Sequence, residues 1–98
     1  MTTVHEPITP GEILLTEFLE PLGITQYRLA QATGLPQTRI SEIVRGKRAI
    51  SIDTALRLSK ALGVDDRFWI NIQTDYDLEV ERDLHAEDLA KVTNLVAS

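Results

Sequence analysis

The stretch Gln26 to Gly46, QYRLAQATGLPQTRISEIVRG, decides the fold because it carries the signals of two short helices joined by a tight turn. Thr25 is the predicted N-cap of the first helix, which ends near Thr33. Gly34 follows, and glycine permits the positive φ that a sharp turn needs. Helical spacing gives the buried side of this helix: Tyr27 or Leu29, together with Ala30. The pattern predicts a helix pair crossing at a steep angle.

The second helix of the pair, for which Pro36 suits the first turn, has two different faces. Ile40, Ile43 and Val44 recur at helical spacing and form an apolar stripe that packs on the core. Outward-facing or flanking positions hold Gln37, Thr38, Arg39, Ser41, Glu42 and Arg45. Gln, Arg and Thr are side chains that read base edges in the major groove. The stretch therefore predicts a helix-turn-helix that binds double-stranded DNA, with base contacts by Gln37, Thr38, Arg39 and Ser41.

Glu42 is the exception on this face, because a carboxylate repels phosphate. We expect it to accept from a cytosine amine or to orient Arg39 or Arg45. The alternative for the whole stretch is a helical hairpin that only builds a core. The combination of turn glycine, apolar stripe and base-reading side chains favours DNA binding.

Charge is distributed unevenly along the 98 residues, whose net charge is −5. Residues 26–60 carry seven basic and two acidic residues, whereas residues 1–25 and 61–98 are both acidic. A basic middle predicts a phosphate-facing surface, and Lys47 and Arg48, in the loop after Gly46, are placed to contact phosphate. The acidic ends suit a basic protein partner.

Composition excludes several other classes. A content of 43% hydrophobic residues predicts one compact domain. The chain has no cysteine, so disulfides and thiolate metal sites are excluded. No apolar run is long enough to cross a membrane, so a soluble, cytoplasmic protein is expected. No cofactor, metal or enzymatic activity is expected, because the only suggestive constellation, Glu81, His85 and Asp88, is typical of a solvated helix face and His5 has no partner.

The rest of the chain predicts an all-α fold with five helices and a C-terminal extension. Residues 1–8 show no periodicity and are predicted to form a flexible arm, residues 9–77 the DNA-binding domain, and residues 78–98 a helical extension for dimerisation or docking. Helix 1 begins with Thr9 as its N-cap, Pro10 at its first position and a capping box completed by Glu12. Its predicted buried side is Ile13, Leu14, Phe18, Leu19 and Leu22.

Two more helices complete the predicted domain. Ser51 or Asp53 caps helix 4. Its predicted inward residues are Ala55, Leu58, Ala61 and Leu62. Helix 5 opens at Asp65-Asp66 and carries four large apolar or aromatic residues, Phe68, Trp69, Ile72 and Tyr76. These four belong to the core alone or to the core plus a subunit interface.

Four motifs stand out within residues 8–80: the start Thr9-Pro10-Gly11-Glu12, the helix-turn-helix, the run RGKRAI at 45–50, and FWINIQ at 68–73 followed by Tyr76-Asp77-Leu78. Together they resemble the HigA antitoxins, which are Xre, or Cro/C1-type, helix-turn-helix proteins. The resemblance implies a compact, lambda-repressor-like domain and a dimer that represses its own operon. It also implies an adjacent RelE-like, ribosome-dependent mRNA endonuclease that the protein binds and inhibits.

The same resemblance implies base reading by Gln37, Thr38, Arg39 and Ser41 and backbone contacts by Gln26, Lys47 and Arg48, to which we add the outward-facing Arg45. Because one short recognition helix reads few base pairs, we predict a homodimer on an inverted-repeat operator in its own promoter. The interface candidates are Phe68, Trp69, Ile72 and Tyr76. Two alternatives remain: a stand-alone Xre-family or phage-type repressor without a toxin, and a purely protein-binding module.

Overall fold

A computed structural model of the chain describes residues 6–96, and within that range it contains helices and no strand. The helix α1 is continuous and consists of Pro10–Ile13, the π-helical segment Leu14–Leu19 and Glu20–Leu22. The others are α2 (Gln26–Thr33), α3 (Gln37–Val44), α4 (Ile52–Leu62), α5 (Phe68–Leu84) and α6 (Ala86–Ala90). The predicted all-α fold is confirmed. Most of the predicted N-terminal arm, including His5, lies outside the described residues.

Side-chain hydroxyl groups start three of these helices. In each case the oxygen accepts from the backbone N–H three residues on: Thr9 from Glu12 (3.2 Å), Thr25 from Arg28 (3.1 Å) and Ser51 from Thr54 (3.2 Å). Thr9 and Thr25 are the predicted N-caps, and Ser51 rather than Asp53 caps α4. Local sequence therefore sets where these helices begin.

The turn between α2 and α3 is built around Gly34, whose φ of 74° is left-handed as predicted. The N–H groups of Gly34 and Leu35 both bond to the carbonyl of Ala30, at 2.9 and 3.2 Å. Pro36 was expected inside the first turn of α3 but precedes the helix, with an extended ψ of 142°. Its carbonyl accepts from the Arg39 N–H at 3.0 Å, so helical bonding starts one residue later than predicted.

The core lies where α1, the α2–α3 pair, α4 and the first half of α5 meet. Trp69 is completely buried there, with Phe18 and Phe68 against it at ring-centroid distances of 5.2 and 5.1 Å. The other buried apolar residues are Leu14, Leu19, Leu29, Ala30, Leu35, Ile40, Ile43, Ile50, Ala55 and Leu58. Of the two candidates on α2, Leu29 is the buried one, since Tyr27 is 56% exposed.

Two predicted core residues are on the surface instead. Leu22 is 60% exposed, because the π-helical segment Leu14–Leu19 widens the helix and rotates the residues that follow out of the predicted 3.6-residue register. Ala61 is exposed near the end of α4, where the buried face is carried by Ala55, Leu58 and Ser59 instead. Both errors come from extending an ideal helical repeat too far.

The helix α5 differs from its prediction at both ends. It starts at Phe68 rather than at Asp65-Asp66, because the Asp65 side chain accepts from the Arg67 N–H at 2.9 Å and holds a turn before the helix. It then runs unbroken to Leu84, so the boundary predicted after Asp77 falls inside a helix. Over residues 6–96, no helix is long and apolar enough to cross a membrane.

Candidate nucleic-acid interface

One side of α3 faces inward and the other faces solvent, as the sequence predicts. Ile40 and Ile43 are almost completely buried and Val44 is partly buried. Gln37 and Thr38 are exposed, while Arg39 and Ser41 are partly exposed. All four predicted base-reading residues therefore reach the protein surface on one short helix.

The position of α3 is fixed by close contact with the first turn of α1. A Cβ atom added to Gly11 would lie 1.6 Å from the carbonyl oxygen of Ile43 and 2.5 Å from its carbonyl carbon. Only a residue without a side chain allows the two backbones to approach so closely. The glycine of the Pro10-Gly11-Glu12 motif therefore positions the recognition helix.

The turn before α3 is held from the other side by α4. The guanidinium of Arg57 donates through Nη1 to the carbonyl oxygen of Thr33 at 2.8 Å and through Nε to Asp53 at 3.0 Å. The Thr33 hydroxyl donates to the Leu29 carbonyl at 2.8 Å and accepts from the Leu35 N–H at 3.3 Å. These bonds satisfy the backbone of the turn and hold α3 at a fixed angle to α2.

Glu42 has a different partner from those expected. Arg48 donates through Nε to its carboxylate oxygen at 2.8 Å, and both side chains are partly exposed. The prediction that Glu42 orients Arg39 or Arg45 is wrong, because the chain reverses after Gly46 and brings Arg48 back beside α3. Arg45 instead makes a long contact of 3.4 Å from Nε to the Ser41 carbonyl.

The side chains best placed to contact a ligand are those without an internal partner. Within residues 6–96, no hydrogen bond or ion pair engages the side chains of Gln37, Thr38, Arg39 or Lys47. In the described part of the chain no side chain caps the N-terminus of α3, so the N–H groups of Gln37 and Thr38 also remain available. This surface offers amide, hydroxyl, guanidinium and ammonium donors, the groups that base edges and phosphates accept from.

The predicted backbone-contacting residues surround the exposed face of α3. Lys47 and Arg48 lie in the exposed loop that follows α3, and the Lys47 N–H bonds to the Glu42 carbonyl at 2.8 Å. Gln26 is the first residue of α2 and is partly exposed, so it stands at a helix N-terminus, where anions bind favourably.

Sequence reasoning missed Gln73, a buried polar residue on α5. Its side-chain oxygen accepts from the backbone N–H of Ile50 at 2.8 Å, at the end of the loop that carries Lys47 and Arg48. The available signal was a glutamine directly after Ile72 in a run of large apolar residues. A buried amide needs a partner, but the sequence does not say which one.

The four interface candidates are not equivalent. Trp69 is completely buried in its own domain and has no surface to offer a second subunit, so it is a core residue. Phe68, Ile72 and Tyr76 are partly exposed, and they remain candidates.

The constellation Glu81, His85 and Asp88 lies on the exposed C-terminal part of the chain. His85 Nε2 lies 3.0 Å from a Glu81 carboxylate oxygen, one helical turn away. In the described part of the chain, no three His, Cys, Asp or Glu side chains are grouped to hold a metal ion.

Comparison with known proteins identifies the family. The Helix-turn-helix family model HTH_3 matches residues 15–69. Virulence-associated protein I of Dichelobacter nodosus is 49% identical over 73 residues, which are 74% of this chain and 68% of that protein. Antitoxin HigA-1 of Vibrio cholerae is 38% identical over 96 residues, which are 98% of this chain and 90% of that protein.

A solved structure shows the same likeness in three dimensions. The structure of Pseudomonas aeruginosa antitoxin HigA with the higBA promoter superposes with a TM-score of 0.85 at 34% identity, covering 92% of this chain and 99% of that one. These relatives are named as antitoxins and virulence-associated proteins rather than as enzymes. Because the family model covers more than half of the chain and HigA-1 aligns along nearly all of it, the chain belongs to the Xre-type helix-turn-helix proteins and, among them, to the HigA-type antitoxins.

Proposed function

We propose that the protein is a sequence-specific repressor that binds an inverted-repeat operator in its own promoter as a homodimer. The observation that carries the proposal is the exposed face of α3, on which Gln37, Thr38 and Arg39 have no internal partner within residues 6–96. Unpaired donors and acceptors on a rigidly held helix are suited to the edges of base pairs.

The polar residues of this surface divide into two roles by chemistry. Arg39 matches the two acceptors of guanine, Gln37 matches adenine, and Thr38 offers a methyl group or a hydroxyl. Ser41 completes the base-reading set. The residues around α3, namely Gln26, Arg45, Lys47 and Arg48, contact phosphates and so set the register without specifying sequence.

The length of α3 supports a dimer. Eight residues rise about 12 Å along a helix, so one α3 meets only a few base pairs. Two copies related by a two-fold axis read half-sites about 34 Å apart, which gives usable specificity. The proposed dimer interface consists of the partly exposed Phe68, Ile72 and Tyr76 together with the segment 78–98.

We also propose that the protein binds and neutralises a RelE-like mRNA endonuclease toxin. Membership of the HigA-type antitoxins supports a toxin partner, and charge supports a basic one. Glu12, Glu17 and Glu20 are all exposed on α1. Opposite charges on two proteins speed their association and favour the correct partner.

The DNA-binding proposal is tested by titrating the protein onto its own upstream DNA and onto a scrambled duplex of equal length, at two salt concentrations. We expect a preference of about 10³-fold or more for the upstream DNA. Weak, equal and strongly salt-dependent binding to both duplexes would contradict sequence-specific repression. Gel filtration without and with operator tests the dimer, and a monomer in both cases would contradict it.

Two variants separate the proposed roles. Arg39→Ala should weaken binding to upstream DNA by about 1–3 kcal/mol and relax one base position. Lys47→Ala should weaken both duplexes alike and lower the salt slope by about 1. Lys60→Ala is the matched control, because it removes the same charge from an exposed site on α4 that lies outside the proposed DNA contacts and the proposed interface. Equal losses on both duplexes from Arg39→Ala would contradict the base-reading role.

The toxin proposal is tested by co-expressing the protein with the product of the adjacent gene. We expect the pair to co-purify and the protein to abolish ribosome-dependent mRNA cleavage. If the neighbouring product neither binds nor cleaves mRNA while operator binding persists, the protein is a stand-alone repressor.

A further inference from the structure

The loop of residues 45–50 joins α3 to α4 and carries the basic residues Arg45, Lys47 and Arg48. Its far end is hydrogen-bonded to α5. The side-chain oxygen of Gln73, which is only 8% exposed, accepts from the Ile50 N–H at 2.8 Å across 23 residues of sequence. Ile50 is itself 5% exposed, so this bond satisfies a backbone donor that water does not reach.

Asp77 fixes the orientation of the Gln73 amide. The nitrogen of that amide donates to the Asp77 carboxylate at 2.9 Å, one helical turn further along α5. An ionised carboxylate only accepts, so the nitrogen edge of the amide must face Asp77. The amide oxygen therefore faces the Ile50 N–H. The two hydrogen bonds connect Asp77, on the surface of α5, through Gln73 to the loop.

Other contacts tie this loop to α3 and to the core: the Lys47 N–H donates to the Glu42 carbonyl at 2.8 Å, Arg48 pairs with the Glu42 carboxylate at 2.8 Å, and the Ile50 side chain packs in the core. At its first end the Gly46 N–H bonds to the Ile43 carbonyl at 3.0 Å and continues the end of α3. Beneath it lies a cavity of about 160 Å³, lined in part by Lys47, Gln73 and Asp77. Among residues 6–96, the Gln73–Ile50 bond is the hydrogen bond that joins this loop to α5.

We propose that Gln73, oriented by Asp77, is a positioning residue: it holds the loop in the conformation in which Lys47 and Arg48 can contact DNA phosphates. The proposal rests on the proposed DNA binding and deepens it. A cation on a flexible loop loses conformational entropy when it grips a phosphate, and a tethered loop loses less. Gln73 therefore acts on affinity through the loop and touches no DNA itself.

The test compares Gln73→Met with the wild-type protein. Methionine keeps the length and approximate volume of the side chain but cannot accept from Ile50. We expect binding to the upstream and the scrambled duplex to weaken together, by about 10-fold at low salt, and the salt slope to fall by about 1 to 2. A variant that was merely less stable would lose thermal stability but keep the wild-type salt slope at temperatures where it is folded.

A double-mutant cycle decides whether the effect passes through the loop. In a Lys47→Ala, Arg48→Ala background, Gln73→Met should cause no further loss of DNA affinity. Full additivity would overturn the proposal, as would wild-type affinity and salt slope in the single variant.

A measurement without DNA tests the tether separately. We expect Gln73→Met to lower the backbone NMR order parameters of residues 47–49, and Asp77→Ala, at an exposed site, to lower them in the same direction. Unchanged order in both variants would overturn the proposal. If the wild-type protein shows no preference for upstream DNA, the proposed function is refuted. The order parameters are measured without DNA, so they still show whether Gln73 tethers the loop.

Discussion

Replacing Gly11 by alanine sets two physical effects against each other. In an exposed helix this change is favourable by up to about 1 kcal/mol, because alanine has the higher helix propensity. In this fold the new Cβ would lie 1.6 Å from the Ile43 carbonyl oxygen. Real Cβ contacts essentially never fall below 3.0 Å, so α1 and α3 must separate by at least about 1.4 Å.

The forced separation of α1 and α3 determines how much the substitution destabilises the fold. The atom that blocks the new methyl group belongs to backbone and cannot rotate away as a side chain would. Overpacking of a core costs about 1–3 kcal/mol and sometimes more, and a backbone clash belongs at the upper end. After the propensity gain is subtracted, we expect a loss of about 2–3 kcal/mol. For a domain of this size that lowers Tm by roughly 10–20 °C.

The assay is urea unfolding followed by fluorescence and circular dichroism. The chain has one tryptophan, Trp69, and it is completely buried, so its emission reports directly on the core. Gly23→Ala is the matched control, because nothing lies within 4 Å of its added Cβ and only its positive φ of 66° opposes alanine, at about 1–2 kcal/mol. If Gly11→Ala were as stable as the wild type, or more stable, the close approach of α1 and α3 would be refuted.

Three further substitutions test single contacts. Ser59→Ala should raise Tm by a few degrees, because the completely buried Ser59 hydroxyl has no hydrogen-bond partner among residues 6–96 and an unpaired polar group costs about 1–3 kcal/mol; a lower Tm would contradict this. Ser51→Ala should lower the free energy of unfolding by about 1 kcal/mol through loss of the α4 cap, and an unchanged urea midpoint would count against it. Glu42→Gln should strengthen binding to both DNA duplexes several-fold at low salt, because it removes a charge that repels phosphate and partly neutralises Arg48 while leaving an amide oxygen that can still accept from Arg48; weaker binding would mean that the charge of Glu42 is needed to position Arg48.

Features encoded within a few residues could be predicted from the sequence. Thr25 caps α2, and Gly34 turns the chain, because each acts on backbone groups no more than four residues away. Ile40 and Ile43 could be assigned to the core because their spacing matches the helical repeat over a single short helix. The exposed face of α3, which is proposed to read bases, follows from the same periodicity.

Features that depend on distant contacts could not be predicted. The partner of Gln73 is a backbone N–H 23 residues earlier, and no local pattern specifies it. The pairing of Glu42 with Arg48 depends on the path of the chain after Gly46. Leu22 was misplaced because the π-helical segment before it changes the register, and helical spacing alone assumes that the register is constant.

The net charge of −5 does not argue against a DNA-binding surface on this chain. Salt screens exposed charges over about 8 Å at physiological ionic strength, whereas the molecule extends over 50 × 36 × 21 Å. A phosphate that contacts α3 therefore senses the charges within about 8 Å, such as Arg39 and Lys47, much more strongly than charges further away. The charge within one screening length of a surface, rather than the total, decides whether that surface attracts DNA. By the same argument the acidic residues of the flanks act on whatever binds beside them, which is why the net charge does not oppose the proposed binding of DNA at α3 and of a basic toxin elsewhere.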